Sequence, residues 1–314
     1  MRESLSRASE RLNAAPALLL TLTALFWGGN AIAGQLAVGE VGPFTLTFLR
    51  WALVSAVLWT LYGAEVRAVW PEVRPRMPRI VLMASLGFTA FNALFYVASH
   101  QTSAVNIGIL QGSIPIFVLI GAFFAYGSRV GALQAVGVLA TILGVVLVAT
   151  RGAPDQILSL GVNPGDALML LACALYASYT VMLRSRPAIS GRAFFTLMAP
   201  IAAVTALPLM LFEAGSPGYR APTMTGWLVT LFVAVFPSCL SQLFFMRGVD
   251  LIGPGRAGVF VNLVPVFAAL LAVALLGQAF AWFHAVALAL VLGGIWLAQR
   301  GAAPEAVPAI RRSS

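Results

Sequence analysis

Ten stretches of predominantly apolar residues follow one another along the chain, separated by clusters of Gly, Pro and Arg. Each approaches the roughly 20 residues a helix needs to cross a bilayer. They cover approximately Ala15–Val38, Pro43–Tyr62, Arg79–Ser99, Ser103–Ala125, Val130–Thr150, Pro164–Leu183, Ser190–Phe212, Gly226–Met246, Pro254–Leu276 and Phe280–Gln299. The apolar runs are continuous, which predicts helices; a membrane β-barrel would show short alternating segments. One stretch carries polar residues inside its apolar run. Val105–Gly127 holds Asn106, Gln111, Ser113 and Pro115 in its first half. Hydrocarbon penalises buried polar side chains and broken backbone hydrogen bonds, so these residues need a cavity or a partner helix.

Composition narrows the class. The 314 residues are 60% hydrophobic and only 9% charged, with a mean hydropathy of +0.93. That is too little charge to cover a soluble surface. The net charge of +9 would suggest nucleic acid in a soluble chain, but basic loops are also what orients a membrane protein. All nineteen basic residues are Arg. With the N-terminus in the cytoplasm, Arg2, Arg7, Arg11, Arg67, Arg74, Arg76, Arg79, Arg129, Arg184, Arg186, Arg192, Arg247, Arg256, Arg300, Arg311 and Arg312 all fall on that side. Only Arg151 and Arg220 fall opposite, and Arg50 lies within the second span. The expectation is a multi-pass protein of the bacterial inner membrane with both termini cytoplasmic. A competing reading is a cleavable signal peptide: basic residues 2–11, the apolar run 14–26, and Ala31-Ile32-Ala33 as the cleavage site. Cys173 and Cys239 lie inside apolar runs, without disulfide or metal spacing.

Displacing the sequence by about 150 residues aligns Ser103–Thr150 with Gly253–Arg300 without a gap. Gly108 then meets Gly258, Pro115 meets Pro265, Gly127 meets Gly277 and Gly144 meets Gly294. Matched Gly and Pro weigh more than matched Leu or Val, because each sets a backbone feature. Each half holds an odd number of spans, so the second half enters the membrane from the face opposite the first. The fold class expected is an all-α integral membrane protein of ten transmembrane helices, arranged as two inverted five-helix repeats. Residues 1–13 form an N-terminal segment, 14–151 the first repeat, 152–300 the second and 301–314 a tail. Such repeats place a substrate site between the halves near the midplane.

The chain resembles the drug/metabolite transporter superfamily, and within it the EamA-type ten-helix transporters. The resemblance rests on Phe26-Trp27-Gly28-Gly29, on Phe48-Leu49-Arg50-Trp51-Ala52, and on Pro115 and Pro265, each followed by a Gly-rich span. Where such transporters usually carry Glu at the start of the fifth and tenth helices, this chain has Ser128 and Gln278. The branch it looks most like exports amino acids, including aromatic ones.

The candidate site follows from polar and aromatic residues at midspan. Pro115 and Pro265 remove a backbone donor and should kink the fourth and ninth helices, freeing the carbonyls of Gln111 and Val261 beside Gln111 and Asn262. Trp27 and Asn30 share one helix face, as do Asn92, Phe95 and Tyr96, and Tyr176 and Tyr179. The eighth span adds Ser238, Ser241, Gln242 and Phe245. Aromatic faces beside amides suit an amphipathic organic molecule. Arg50, two turns inside its span, is free to meet a substrate carboxylate, to snorkel to the membrane edge or to satisfy freed backbone carbonyls. His100 is the nearest titratable candidate for a proton role. Asp166 and Glu213 fall near span ends and Asp250 in a loop, so no buried carboxylate relay is expected. The fifth and tenth spans, rich in small residues, are expected outside the cavity wall.

The function expected is alternating-access export of a small amphipathic metabolite, an amino acid or related compound, by movement down its gradient. A multidrug exporter of the same fold is the alternative. An intramembrane enzyme is disfavoured, since the chain has no HExxH, GxSxG or Asp-rich motif, and no repeated selectivity loop suggests a channel. Membrane lipid is the expected surrounding. No metal, cofactor or nucleic acid is expected, and the chain is expected to act as a monomer.

Overall fold

The computed structural model describes residues 15–128, 130–153 and 163–300. The expected end segments 1–13 and 301–314, and the arginines at 2, 7, 11, 129, 311 and 312, lie outside them. Among the described residues ten helices are long and apolar enough to cross a membrane, and there is no strand. They are α1 Pro16–Leu36, α2 Pro43–Ala68, α3 Trp70–Ser99, α4 Ala104–Tyr126, α5 Ala132–Ala149, α6 Pro164–Ser185, α7 Gly191–Ala214, α8 Met224–Ile252, α9 Arg256–Leu276 and α10 Trp282–Arg300. The face where α1 begins and α10 ends is called here the terminal face.

Helix ends depart from the expected spans where charge was taken for a loop. α2 runs on to Ala68, and Arg74, Arg76 and Arg79 belong to helical turns of α3. Asp250, expected in a loop, lies in the last turns of α8. Charges at a membrane edge reach water without breaking a backbone hydrogen bond, so they do not end a helix. What ends α8 is Gly253, at φ +84°, a conformation open to glycine and costly for other residues, followed by Pro254.

The halves share their irregularities. α4 is interrupted between Gln111 and Ile114, and α9 between Val261 and Leu263. α3 widens to π-turns over Ser85–Ala90 and α8 over Ala234–Leu240. Gly127 and Gly277, after α4 and α9, are both left-handed, at φ +63° and +61°. Helix pairing repeats as well. α2 packs on α7, α5 on α10 and α4 on α9; α1 packs on α8 and α9, as α6 packs on α3 and α4. Exchanging the halves maps this pattern onto itself.

Small residues let these helices approach. A Cβ on Gly28 would stand 2.8 Å from the backbone nitrogen of Ala268, so α1 and α9 meet at this glycine of the Phe26–Gly29 run. α5 and α10 meet at Gly137 and Gly294, where the Thr141 hydroxyl is turned back onto the Gly137 carbonyl at 3.0 Å.

The kink in α4 differs in detail from the expected one. The chain leaves the helix at Gly112–Ser113, before Pro115, through tight bonds from Gly112 N to Ile109 O and from Ser113 N to Leu110 O. The Leu110 carbonyl also accepts from the Ser113 hydroxyl at 2.7 Å and from the Cys173 thiol at 3.6 Å. Side chains of α4 and α6 thus help satisfy the interrupted turn, as hydrocarbon requires.

Candidate functional site

The irregular segments of α3, α4, α8 and α9 converge on a cavity of about 130 Å³. It lies between the two halves. Its floor is aromatic: Trp27, Trp51, Phe88, Phe91 and Tyr176. Trp51 stacks on Phe88 with centroids 4.6 Å apart and planes 12° from parallel, and Phe91 packs on Tyr176 at 5.0 Å. The Trp27 indole donates to the Pro237 carbonyl at 3.1 Å. Asn30, Asn92, Gln111, Ser238, Gln242 and Asn262 add polar groups.

One charged side chain lines this cavity. Arg50 is 5% exposed. Its Nε donates to Ser238 Oγ at 2.5 Å, and its Nη1 to Asn92 Oδ1 at 2.7 Å, Tyr96 Oη at 2.6 Å and Asn30 Oδ1 at 3.2 Å. The acceptors are themselves oriented. Asn92 Nδ2 donates to the Phe88 carbonyl at 2.5 Å, and the Ser238 hydroxyl to the Val233 carbonyl at 2.5 Å across the π-turn of α8. Tyr96 Oη donates to Asn30 at 3.0 Å. Snorkelling to the membrane edge was one option for Arg50; the side chain turns inward instead. Four neutral acceptors from α1, α3 and α8 hold it there.

The cavity brings together Trp27, Asn30, Arg50, Asn92, Gln111, Pro115, Tyr176, Gln242, Asn262 and Pro265. Other expected site residues lie elsewhere. Phe95 is fully buried in the packing between helices. Tyr96 stands behind Arg50 and holds it. Tyr179 is not part of the lining; its ring packs against Phe88 and Tyr176, each at 5.4 Å. Phe245 backs Trp27 at 5.5 Å. Ser238, expected among the midspan polar residues of the eighth span, lines the cavity too; Trp51, Phe88 and Phe91 line it although the sequence pattern did not single them out for it. Trp51 was legible only as a neighbour of Arg50. Ile295 of α10 also reaches the cavity, so the tenth helix is not wholly outside its wall.

Polar groups also gather near the face opposite the terminal one. Asp166, expected near the outer end of its span, lies there and is 0% exposed. Thr102 Oγ1 donates to it at 2.5 Å and Asn106 Nδ2 at 3.3 Å. Asn106 Oδ1 lies 3.1 Å from His284 Nε2, whose Nδ1 accepts from Ala281 N at 2.9 Å. At this helix end Asp166 is held inside by Thr102, which precedes α4, and by Asn106 of α4. Asn106, part of the polar half of α4, thus serves this cluster and not the cavity. On the same face, Glu213 accepts from Phe44 N at 3.1 Å and Thr45 N at 2.7 Å, capping α2. His100 lies beside Glu213 at a separate surface pocket, away from the central cavity. Burial lowers the His100 pKa below the usual histidine range, and Glu213 acts in the opposite direction.

A ten-helix fold with paired helix breaks around a central cavity is the arrangement of a membrane transporter built from internal repeats. The chain belongs to the EamA-like transporter family, whose profile matches residues 15–150 and 163–299. It is similar to the uncharacterized transporter YetK of Bacillus subtilis, 27% identical over 90% of this chain and 86% of that protein. It is also similar to the uncharacterized inner membrane transporter YedA of Escherichia coli K12, 22% identical over 92% and 94% of the two chains. A crystal structure, 21% identical, superposes with a TM-score of 0.61 over 90% of this chain and 96% of its own, a likeness of fold.

Proposed function

We propose that this membrane transporter is a secondary carrier that exports small amphipathic metabolites, amino acids including aromatic ones or related compounds, across a bacterial inner membrane with both termini cytoplasmic. The observation that supports this best is the cavity between the halves, where an aromatic floor faces a rim of amides. Such a lining takes an apolar body on one side and a hydrogen-bonding head on the other. The paired breaks in α4 and α9 flank the cavity and supply places where the two halves can rock about the site. Its lining carries no carboxylate among the described residues, which favours movement down a gradient over obligatory proton exchange. The test is counterflow in proteoliposomes loaded with phenylalanine. Acceleration of labelled phenylalanine uptake by internal substrate, without an imposed gradient, supports the carrier. Uptake that depends on a proton gradient and is lost with His100→Asn sinks the uncoupled mechanism. No exchange across a panel of amino acids and related acids sinks the substrate class.

A further inference from the structure

Arg50 is held on one side only. Its Nε and Nη1 are engaged by Ser238, Asn92, Tyr96 and Asn30, all neutral. No hydrogen bond of its Nη2 occurs among the described residues, and the residue lines the cavity. A second donor lies next to it. Trp51 Nε1 is buried and has no hydrogen-bond partner, and the Arg50 guanidinium carbon lies 5.5 Å from the Trp51 ring centroid. An indole N–H can only donate, and a guanidinium can only donate. One buried indole donor without a partner, and beside it a guanidinium nitrogen without one on a residue that lines the cavity, leave room for an acceptor that the protein does not supply. The charge is also open: the lining contains Arg50 and no Asp or Glu. A buried cation whose partners are all neutral remains uncompensated.

We infer that the cavity is a site for a monocarboxylate with an apolar, preferably aromatic, tail, its carboxylate taken by Arg50 Nη2 with Trp51 Nε1. The guanidinium edge suits a planar two-oxygen acceptor, and charge-assisted bonds of this kind are the strong ones. One cation matches one negative charge, so a monoanion is preferred to a dianion. The tail has the stacked Trp51–Phe88 pair and the Phe91–Tyr176 pair to lie on. No acidic group lines the cavity, so an ammonium group on the ligand is not required for binding.

This deepens the carrier proposal by naming the head group of its substrate, but it is testable without transport. The probe is radiolabelled 3-phenylpropionate bound to the purified protein in nanodiscs, displaced by unlabelled 3-phenylpropionate or by 3-phenylpropanamide, which keeps shape and loses charge. The acid should displace with an affinity at least about tenfold better than the amide, as expected for one lost charge-assisted interaction. Arg50→Gln should abolish that ratio, and Arg50→Lys, which keeps charge without the fork, should keep part of it. Equal displacement by acid and amide in the unaltered protein, or no saturable binding of the acid, overturns the inference; this holds even if Arg50→Gln fails to fold. A ratio that survives in folded Arg50→Gln overturns it too, since a purely structural Arg50 predicts that result. Selective binding without counterflow refutes the carrier proposal and leaves this one standing. Counterflow of phenylalanine with no acid-over-amide preference does the reverse.

Discussion

Arg50 and Ser238, 188 residues apart in the chain, are joined by an Nε–H···Oγ hydrogen bond of 2.5 Å that ties one half of the transporter to the other across the cavity. The bond depends on the π-turn of α8. That turn directs the Ser238 hydroxyl proton to the Val233 carbonyl and leaves the oxygen lone pairs toward Arg50.

Ser238→Ala should therefore leave a charged N–H buried without an acceptor, at a cost of about 1.5–3 kcal/mol. A fall in thermal midpoint in detergent is expected, with the chain still folding at low temperature. An unchanged midpoint would show that Arg50 finds another acceptor at no cost.

Gly28 and Gly293 should respond in opposite directions. Ala at 28 drives its Cβ against the Ala268 backbone, whereas a Cβ at 293 meets nothing within 4 Å. Gly28→Ala should destabilise by about 1–3 kcal/mol through overpacking between α1 and α9. Gly293→Ala should be neutral or gain up to about 1 kcal/mol in helix propensity. Thermal midpoints of the two variants check this, and equal shifts would refute close packing at Gly28.

The two tyrosines of α6 separate by function. Tyr176 lines the cavity while Tyr179 packs its ring on Phe88 outside it. Tyr176→Ala and Trp27→Ala should lower counterflow by about tenfold, equivalent to roughly 1.4 kcal/mol of lost contact, without loss of folded protein. Tyr179→Phe, which keeps the ring, should transport normally. Full activity in both Ala variants would place the substrate elsewhere.

His100 supplies a pH signature. Its folded pKa lies below the roughly 6.5 of an unfolded histidine, because burial outweighs Glu213. Above that unfolded value both states are neutral and His100 contributes no pH dependence. As pH falls through it, the unfolded chain takes up a proton first, so stability declines until the folded pKa is also passed. Between pH 8 and 5, the thermal midpoint of the native protein should fall more than that of His100→Asn. Parallel curves would mean that Glu213 cancels the effect of burial, and a smaller fall than in His100→Asn that Glu213 dominates.

Topology is checked by single cysteines in a Cys173→Ala, Cys239→Ala background. Cysteines at Gly39, Gln101 and Pro217 should react with an impermeant maleimide from outside the cell, and those at Arg74 and Ser185 should not. Labelling of Arg74 from outside would break the ten-span order.

The sequence by itself determined the membrane class, the ten spans, the paired breaks near Pro115 and Pro265, and the doubled pattern of Gly and Pro. Each is a local property: apolar length, a missing backbone donor, or a residue that tolerates positive φ, and none needs knowledge of a neighbour. Periodicity placed Trp27 with Asn30 on one face, and the paired prolines placed Gln111 and Asn262 beside the cavity. Which residues on one face stay there was decided only by packing. Phe95 shares a face with Asn92, yet it is buried against neighbouring helices while Asn92 holds Arg50. Arg50 and Asp166 make the same point for charge. Distance from a helix end placed both within reach of water, but what buries each arrives from elsewhere in the chain: Asn30, Asn92 and Ser238 around Arg50, and Asn106 and Thr102 around Asp166. A charged side chain stays inside a membrane protein only where its hydrogen-bonding partners converge in space, and that convergence exists only once distant helices have packed together.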